Sequence, residues 1–149
     1  MPFTPFTRAE VKRILQFSEL GSGHAGERHS KATNAYLADR QMSGTPTATA
    51  FCNFEEMITA GVALLNDPAN DAALEKFRVE KRAGSGYSGG NGGKYVVLEH
   101  LLTAPMKMRY AIGGTTRTFP CRRVKMVIDK DHGRPRFIHV ITFYGEMGG

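Results

Sequence analysis

Residues 84–93, Gly-Ser-Gly-Tyr-Ser-Gly-Gly-Asn-Gly-Gly, divide this chain into halves with different hydrophobic periods. Ahead of them, apolar residues recur at helical spacing behind recognisable caps. After them, β-branched and aromatic residues run in extended stretches between short turns. Helices first and antiparallel strands last define an α+β fold rather than an α/β fold, where the two alternate. The glycine-rich run itself is expected to be a flexible loop. It lacks the G-x-x-x-x-G-K-[ST] pattern, and a strand follows it rather than a helix, which argues against a phosphate loop. At 149 residues the chain is expected to form a single domain, 1–149. A chain of that length buries a core without help from metals or disulfides.

The helical half announces its starts. Thr7-Arg8-Ala9-Glu10 is a capping box, with Phe6 and Val11 placed as a hydrophobic staple. Val11, Ile14 and Leu15 then mark a helix to about Leu20, which Gly21-Ser22-Gly23 ends. A second helix is expected from Ser30 or Thr33 through Arg40, and a short strand over 47–51. Asn53-Phe54-Glu55-Glu56 opens a further helix with Met57, Ile58, Val62, Leu64 and Leu65 on its apolar side. Asp67-Pro68 opens the last helix, which runs through Leu74 and Phe77 to Lys81. In the other half, strands are expected over 95–102, 107–112, 116–128 with a bulge at Pro120, and 136–144. Gly113-Gly114 and Asp131-His132-Gly133 are the turns.

Charge is unevenly placed. Residues 76–136 hold fourteen Lys and Arg against four Asp and Glu, whereas residues 1–75 hold six against nine. A basic half suggests a polyanionic partner, either nucleic acid or an acidic protein. No apolar run approaches the roughly 20 residues that a membrane-spanning helix needs. Met1-Pro2-Phe3-Thr4 does not begin a classical signal peptide. Cys52 and Cys121 sit in no metal-binding or redox spacing and are expected as ordinary buried thiols. The five histidines form no H-E-x-x-H or paired ligand set, and no carboxylate cluster suits a metallonuclease. No metal and no cofactor is expected.

Proton-transfer chemistry concentrates in Gly23-His24-Ala25-Gly26-Glu27-Arg28-His29-Ser30-Lys31-Ala32-Thr33. Two imidazoles, a guanidinium and an ammonium lie there between a glycine-rich break and a helix start. The other informative place is the last strand, Arg136-Phe137-Ile138-His139-Val140-Ile141-Thr142-Phe143-Tyr144. Uninterrupted alternation puts Phe137, His139, Ile141 and Phe143 on one face and Ile138, Val140, Thr142 and Tyr144 on the other. Thr142 and Tyr144 then project together, with His139 pointing away from them. Strand propensity alone would also account for a Thr and a Tyr there.

These places together resemble the bacterial RNase A-like toxin domains of contact-dependent inhibition proteins and related polymorphic toxins. Gly23-His24, Glu27-Arg28-His29 and Thr33 are similar to the family's G-H-x-x-x-R-H-x-G-K-T, with Arg40 eleven residues after His29 as the family's arginine. Thr49-Ala50-Phe51 leading into a capped helix is similar to its strand-then-helix. Thr142-Phe143-Tyr144 is similar to its closing T-x-Y. The family's G-K-T stands here as Lys31-Ala32-Thr33, with the lysine one residue closer to His29. The resemblance implies a two-lobed α+β fold, with N-terminal helices packed on a C-terminal curved antiparallel sheet. It implies His29, Arg40, Thr142 and Tyr144 as the catalytic set and Lys31 as a substrate-binding residue. It further implies a metal-independent ribonuclease that cuts RNA, tRNA among the candidates, by 2′-OH transesterification. The cognate partner would be an immunity protein. The domain would be delivered from a larger secreted carrier and act in the cytoplasm of a target cell. The competing expectation is a non-catalytic basic module that binds RNA or protein.

Residue chemistry is compatible with the nuclease. An imidazole near its ordinary pKa transfers protons at neutral pH. A guanidinium grips phosphate bidentately. His29 is expected as the base, and the acid for the leaving oxygen is left open. On one straight helix His29 and Arg40 would stand roughly 16 Å apart, so His29 is expected in the turn before the helix.

Overall fold

The computed structural model describes residues 5–20, 48–79, 96–112, 115–130 and 133–146. Helix α1 (Arg8–Leu20) leads to strand β1 (Ala48–Phe51), helix α2 (Phe54–Leu65), a 3-10 turn (Pro68–Asn70) and helix α3 (Asp71–Val79). Strands β2 (Val96–Ile112) and β3 (Thr115–Lys130) follow, then a 3-10 turn (Pro135–Phe137) and β4 (Ile138–Glu146). The sheet has the order β1-β2-β3-β4, antiparallel throughout. The α+β expectation therefore holds. The second expected helix, 30–40, and the glycine-rich run, 84–93, lie outside the described residues. No helix among the described residues is long and apolar enough to cross a membrane.

The caps of α1 and α2 stand where the sequence puts them, and Asp67 opens a 3-10 turn, after which α3 starts at Asp71. The Thr7 N–H donates to Glu10 Oε1, and the Glu10 N–H donates to Thr7 Oγ1, both at 3.1 Å. This is the reciprocal capping box, and its staple residues Phe6 and Val11 are buried. Asn53 Oδ1 accepts from the Glu56 N–H at 2.8 Å to open α2. Asp67 Oδ1 accepts from the Ala69 N–H at 2.9 Å to open the 3-10 turn. The other oxygen of Asp67 meets His100 Nδ1 at 2.8 Å, and the imidazole beside it holds the carboxyl below the usual carboxylate range. Buried Asn70 donates to the carbonyls of Leu64 and Glu99, tying the turn to β2. At the other end of α3, the buried ammonium of Lys130 donates to the Phe77 and Arg78 carbonyls at 2.9 and 2.8 Å. It satisfies orphan carbonyls of the last helical turn.

Where two separate strands are expected over 95–102 and 107–112, the structure forms one long strand, β2, with an irregularity inside it. Leu101 pairs with Arg123 and Met106 with Cys121, so four residues of β2 stand against Arg122 alone. The bulge expected at Pro120 lies instead on the opposing strand, because Pro120 stays in register with Lys107. Such a mismatch bends a ladder. Strand β1 pairs only with Met108–Ala111 on one side of the bend, and β4 pairs only with Arg123–Lys130 on the other. The curved sheet thus has two lobes, in line with the expected arrangement.

The lobes close on each other through β1 and β4. The Phe51 and Phe143 rings lie 4.9 Å apart, and Thr49 Oγ1 donates to the Gly145 carbonyl at 3.2 Å. Val11, Ile14 and Leu15 of α1, Met57, Ile58, Leu64 and Leu65 of α2, and Leu74 and Phe77 of α3 complete one core with the inner face of the sheet. Cys121 is buried there and Cys52 is half-buried, and both are free thiols.

Gly145 marks the tightest approach. A Cβ there would stand 2.2 Å from Met108 Sδ and 2.8 Å from Cys121 Sγ. Gly145→Ala is expected to cost about 1–3 kcal/mol of stability by overpacking. Urea unfolding measures it; an unchanged midpoint would show that Met108 swings aside freely.

Candidate active site

Strand β4 begins at Ile138, two residues later than alternation and propensity predict. Arg136 and Phe137 adopt left-handed backbone, with φ of 54° and 60°, so they belong to the turn. A further departure follows. Val140 pairs with Ile128 but Thr142 pairs with Val127, so one extra residue, Ile141, is accommodated in β4. An extra residue reverses which side chains share a face.

The consequence corrects the expected faces of this strand. Before the bulge, Ile138 and Val140 point into the core opposite Lys130 and Ile128. After it, Phe143 and Gly145 do so, opposite Met126 and Val124. The outer face therefore carries His139 opposite Asp129, Thr142 opposite Val127, and Tyr144 opposite Lys125. His139 does not point away from Thr142 and Tyr144; it shares their face. Directly opposed residues of an antiparallel pair have Cβ atoms about 4.5–5.5 Å apart.

His139 and Asp129 are buried, at 3% and 1% exposure, whereas Thr142 and Tyr144 are half-buried. The Lys130 N–H donates to Asp129 Oδ1 at 2.8 Å. All four outer-face residues make further polar or ring contacts. Farther along, Lys125 Nζ reaches Glu99 Oε1 at 3.1 Å and Glu146 Oε2 at 3.5 Å. The hydrogen bond to Glu99 holds this ammonium above the usual lysine range. A carboxylate, an imidazole and two hydroxyls thus follow one another along one sheet face, with an anchored ammonium at its end.

An imidazole can transfer a proton at neutral pH, and the Asp129 carboxylate stands opposite it in the ladder. Two neighbouring hydroxyls can donate to a charged oxygen. Of the sequence candidates, the structure brings Thr142 and Tyr144 together. His29, Arg40 and Lys31, like His24, lie outside the described residues. Sequence reasoning did not place His139 and Asp129 on this face. A run of alternating residues carries no mark of the bulge, and Asp129 sits beside a turn where an acidic residue is commonplace. Among the described residues no three His, Cys, Asp or Glu side chains are grouped to hold a metal ion.

No family model and no curated protein matches the chain. Among solved structures, a chain in the crystal structure of a CdiA-CT/CdiI complex from Y. kristensenii 33638 matches with a TM-score of 0.56 and 21% sequence identity. The match covers 83% of this chain and 99% of that one. At that identity the likeness is one of fold.

Proposed function

We propose that the chain is a metal-independent endoribonuclease toxin, cutting RNA by 2′-OH transesterification to leave a 2′,3′-cyclic phosphate. The observation that carries this reading is the outer face of β4, where Thr142 and Tyr144 stand in line with the Asp129–His139 pair. Its support is the histidine-arginine stretch at 23–33 and a fold shared with a chain of the CdiA-CT/CdiI complex.

In the proposed reaction His29 takes the proton of the 2′-hydroxyl as the 2′-oxygen bonds to phosphorus. Arg40 and Lys31 hold the phosphate, and Thr142 and Tyr144 donate to its non-bridging oxygens. The bond from phosphorus to the 5′-oxygen breaks, and the leaving oxygen takes a proton from the His139 imidazolium. A 2′-hydroxyl nucleophile limits the reaction to RNA.

The same reading assigns the protein to competition between bacteria. A larger secreted protein would carry the domain into the target cytoplasm, and a cognate immunity protein would block the site in the producer. Co-purification with the product of the adjacent open reading frame tests that partner, and absence of a complex counts against it.

The direct test incubates the protein with total RNA in excess EDTA. Fragments ending in 2′,3′-cyclic phosphate are expected, with DNA of matched sequence left intact. A requirement for a divalent metal overturns the mechanism. RNA retention without cleavage would favour the non-catalytic basic module.

A further inference from the structure

A pocket of about 420 Å³ lies between α1 and the turn that leads from β3 into β4. Among the described residues its wall includes Arg13, Arg134 and Arg136 and one carboxylate, Glu10, so these lining side chains sum to +2. Glu10 is committed within the wall. Arg136 Nε and Nη2 donate to its two oxygens at 2.9 and 3.0 Å, and that contact holds the carboxyl below its ordinary range. The Arg136 guanidinium also lies 4.3 Å from the centre of the Phe6 ring and donates to the Pro5 carbonyl. These contacts accompany the left-handed backbone of Arg136.

The other two guanidinium groups converge on Phe17. Arg13 lies over its ring at 5.9 Å, and Arg134 Nη1 donates to its carbonyl. The ring is 36% exposed and forms an apolar wall with Pro135. Guanidinium beside an open aromatic ring matches two parts of one ligand, a phosphate and a base. An acidic peptide would use the charge and leave the ring unused.

We infer that this pocket is a nucleotide subsite for RNA, with Arg13 and Arg134 on a phosphate and Phe17 against the attached base. The subsite rests on the ribonuclease reading and extends it. The pocket lies at the Ile138 end of β4, one ladder step from His139 and three, roughly 10 Å, from Thr142, so it takes the phosphate that follows the leaving nucleoside, which a dinucleotide lacks. The pocket therefore grips a flanking nucleotide and contributes to affinity for long substrates, not to the chemical step.

The test compares wild type with Arg13→Ala on a 12-nucleotide RNA and on a dinucleotide. Arg13→Ala is expected to raise KM for the longer RNA about tenfold, with kcat unchanged and the dinucleotide unaffected. The Kd of a 2′-O-methyl 12-mer, which cannot be cut, is expected to rise in parallel, with its salt dependence reduced by about 0.7 in log–log slope. Arg134→Lys, which keeps the charge and loses the fork, is expected to fall between. Unchanged Kd and KM on the long RNA overturn the subsite. So does an equal rise in KM on both substrates. Should wild type cut no RNA while Arg13→Ala still weakens 2′-O-methyl binding, the cleavage reading falls and the subsite stands.

Discussion

His29→Ala is expected to cut the rate of RNA cleavage in EDTA by about 10²–10⁴-fold, the range a positioned proton-transfer group supplies. The loss should fall on kcat, because in the proposed reaction the imidazole accepts its proton in the transition state and contributes little to ground-state binding. His139→Ala is expected to lose a comparable factor for a different reason, as it removes the proposed donor to the leaving oxygen. The two roles separate on an RNA whose scissile 5′-oxygen is replaced by sulfur. A thiolate leaves without a proton, so His139→Ala should recover most of its activity on that substrate and His29→Ala should not. An equal deficit of His139→Ala on both substrates would reduce His139 to a packing residue. Full activity of His29→Ala would remove the basis of the mechanism. Unfolding curves on the same preparations separate lost chemistry from lost fold.

The legible parts of this fold were those decided within a few residues. Thr7 with Glu10, Asn53 with Glu56 and Asp67 with Pro68 each carry their cap in the local sequence; α1, α2 and the 3-10 turn ahead of α3 begin there. The division into helices and strands followed from periods that change at the glycine-rich run. What was illegible depends on pairing between strands. Nothing local to β4 marks Ile141 as an extra residue; its partner strand decides that. The left-handed Arg136 and Phe137 were equally hidden, because neither is a Gly or Asn. Contacts of Arg136 with Glu10 and Phe6, far away in sequence, hold that turn. For the candidate face this meant that Thr142 and Tyr144 were put together and His139 was put on the wrong side. Even so, the alternation rule was sound on either side of the bulge.

The bulge gives β4 two duties, and Phe143 carries the structural one. Its ring is fully buried, stands 4.9 Å from Phe51 of β1, and would lie 3.5 Å from a Cβ on Gly61 of α2. One side chain thus joins both lobes of the sheet to a helix. Phe143→Ala is expected to cost about 3–5 kcal/mol, the lost transfer energy plus the cavity left where three elements meet. Against a total stability of about 5–15 kcal/mol for a domain, that removes a fifth or more. Val97→Ala, on the outer face where the side chain is 55% exposed, should change stability by less than about 0.5 kcal/mol. Urea unfolding of both variants checks the contrast, and a loss below about 1 kcal/mol for Phe143→Ala would mean that the lobes are held together elsewhere. Cleavage should respond as well, because Thr142 and Tyr144 flank Phe143 and owe their direction to its burial. Phe143→Leu, which refills part of the cavity, should restore stability and activity together; recovery of stability alone would mean that the ring itself aims the outer face.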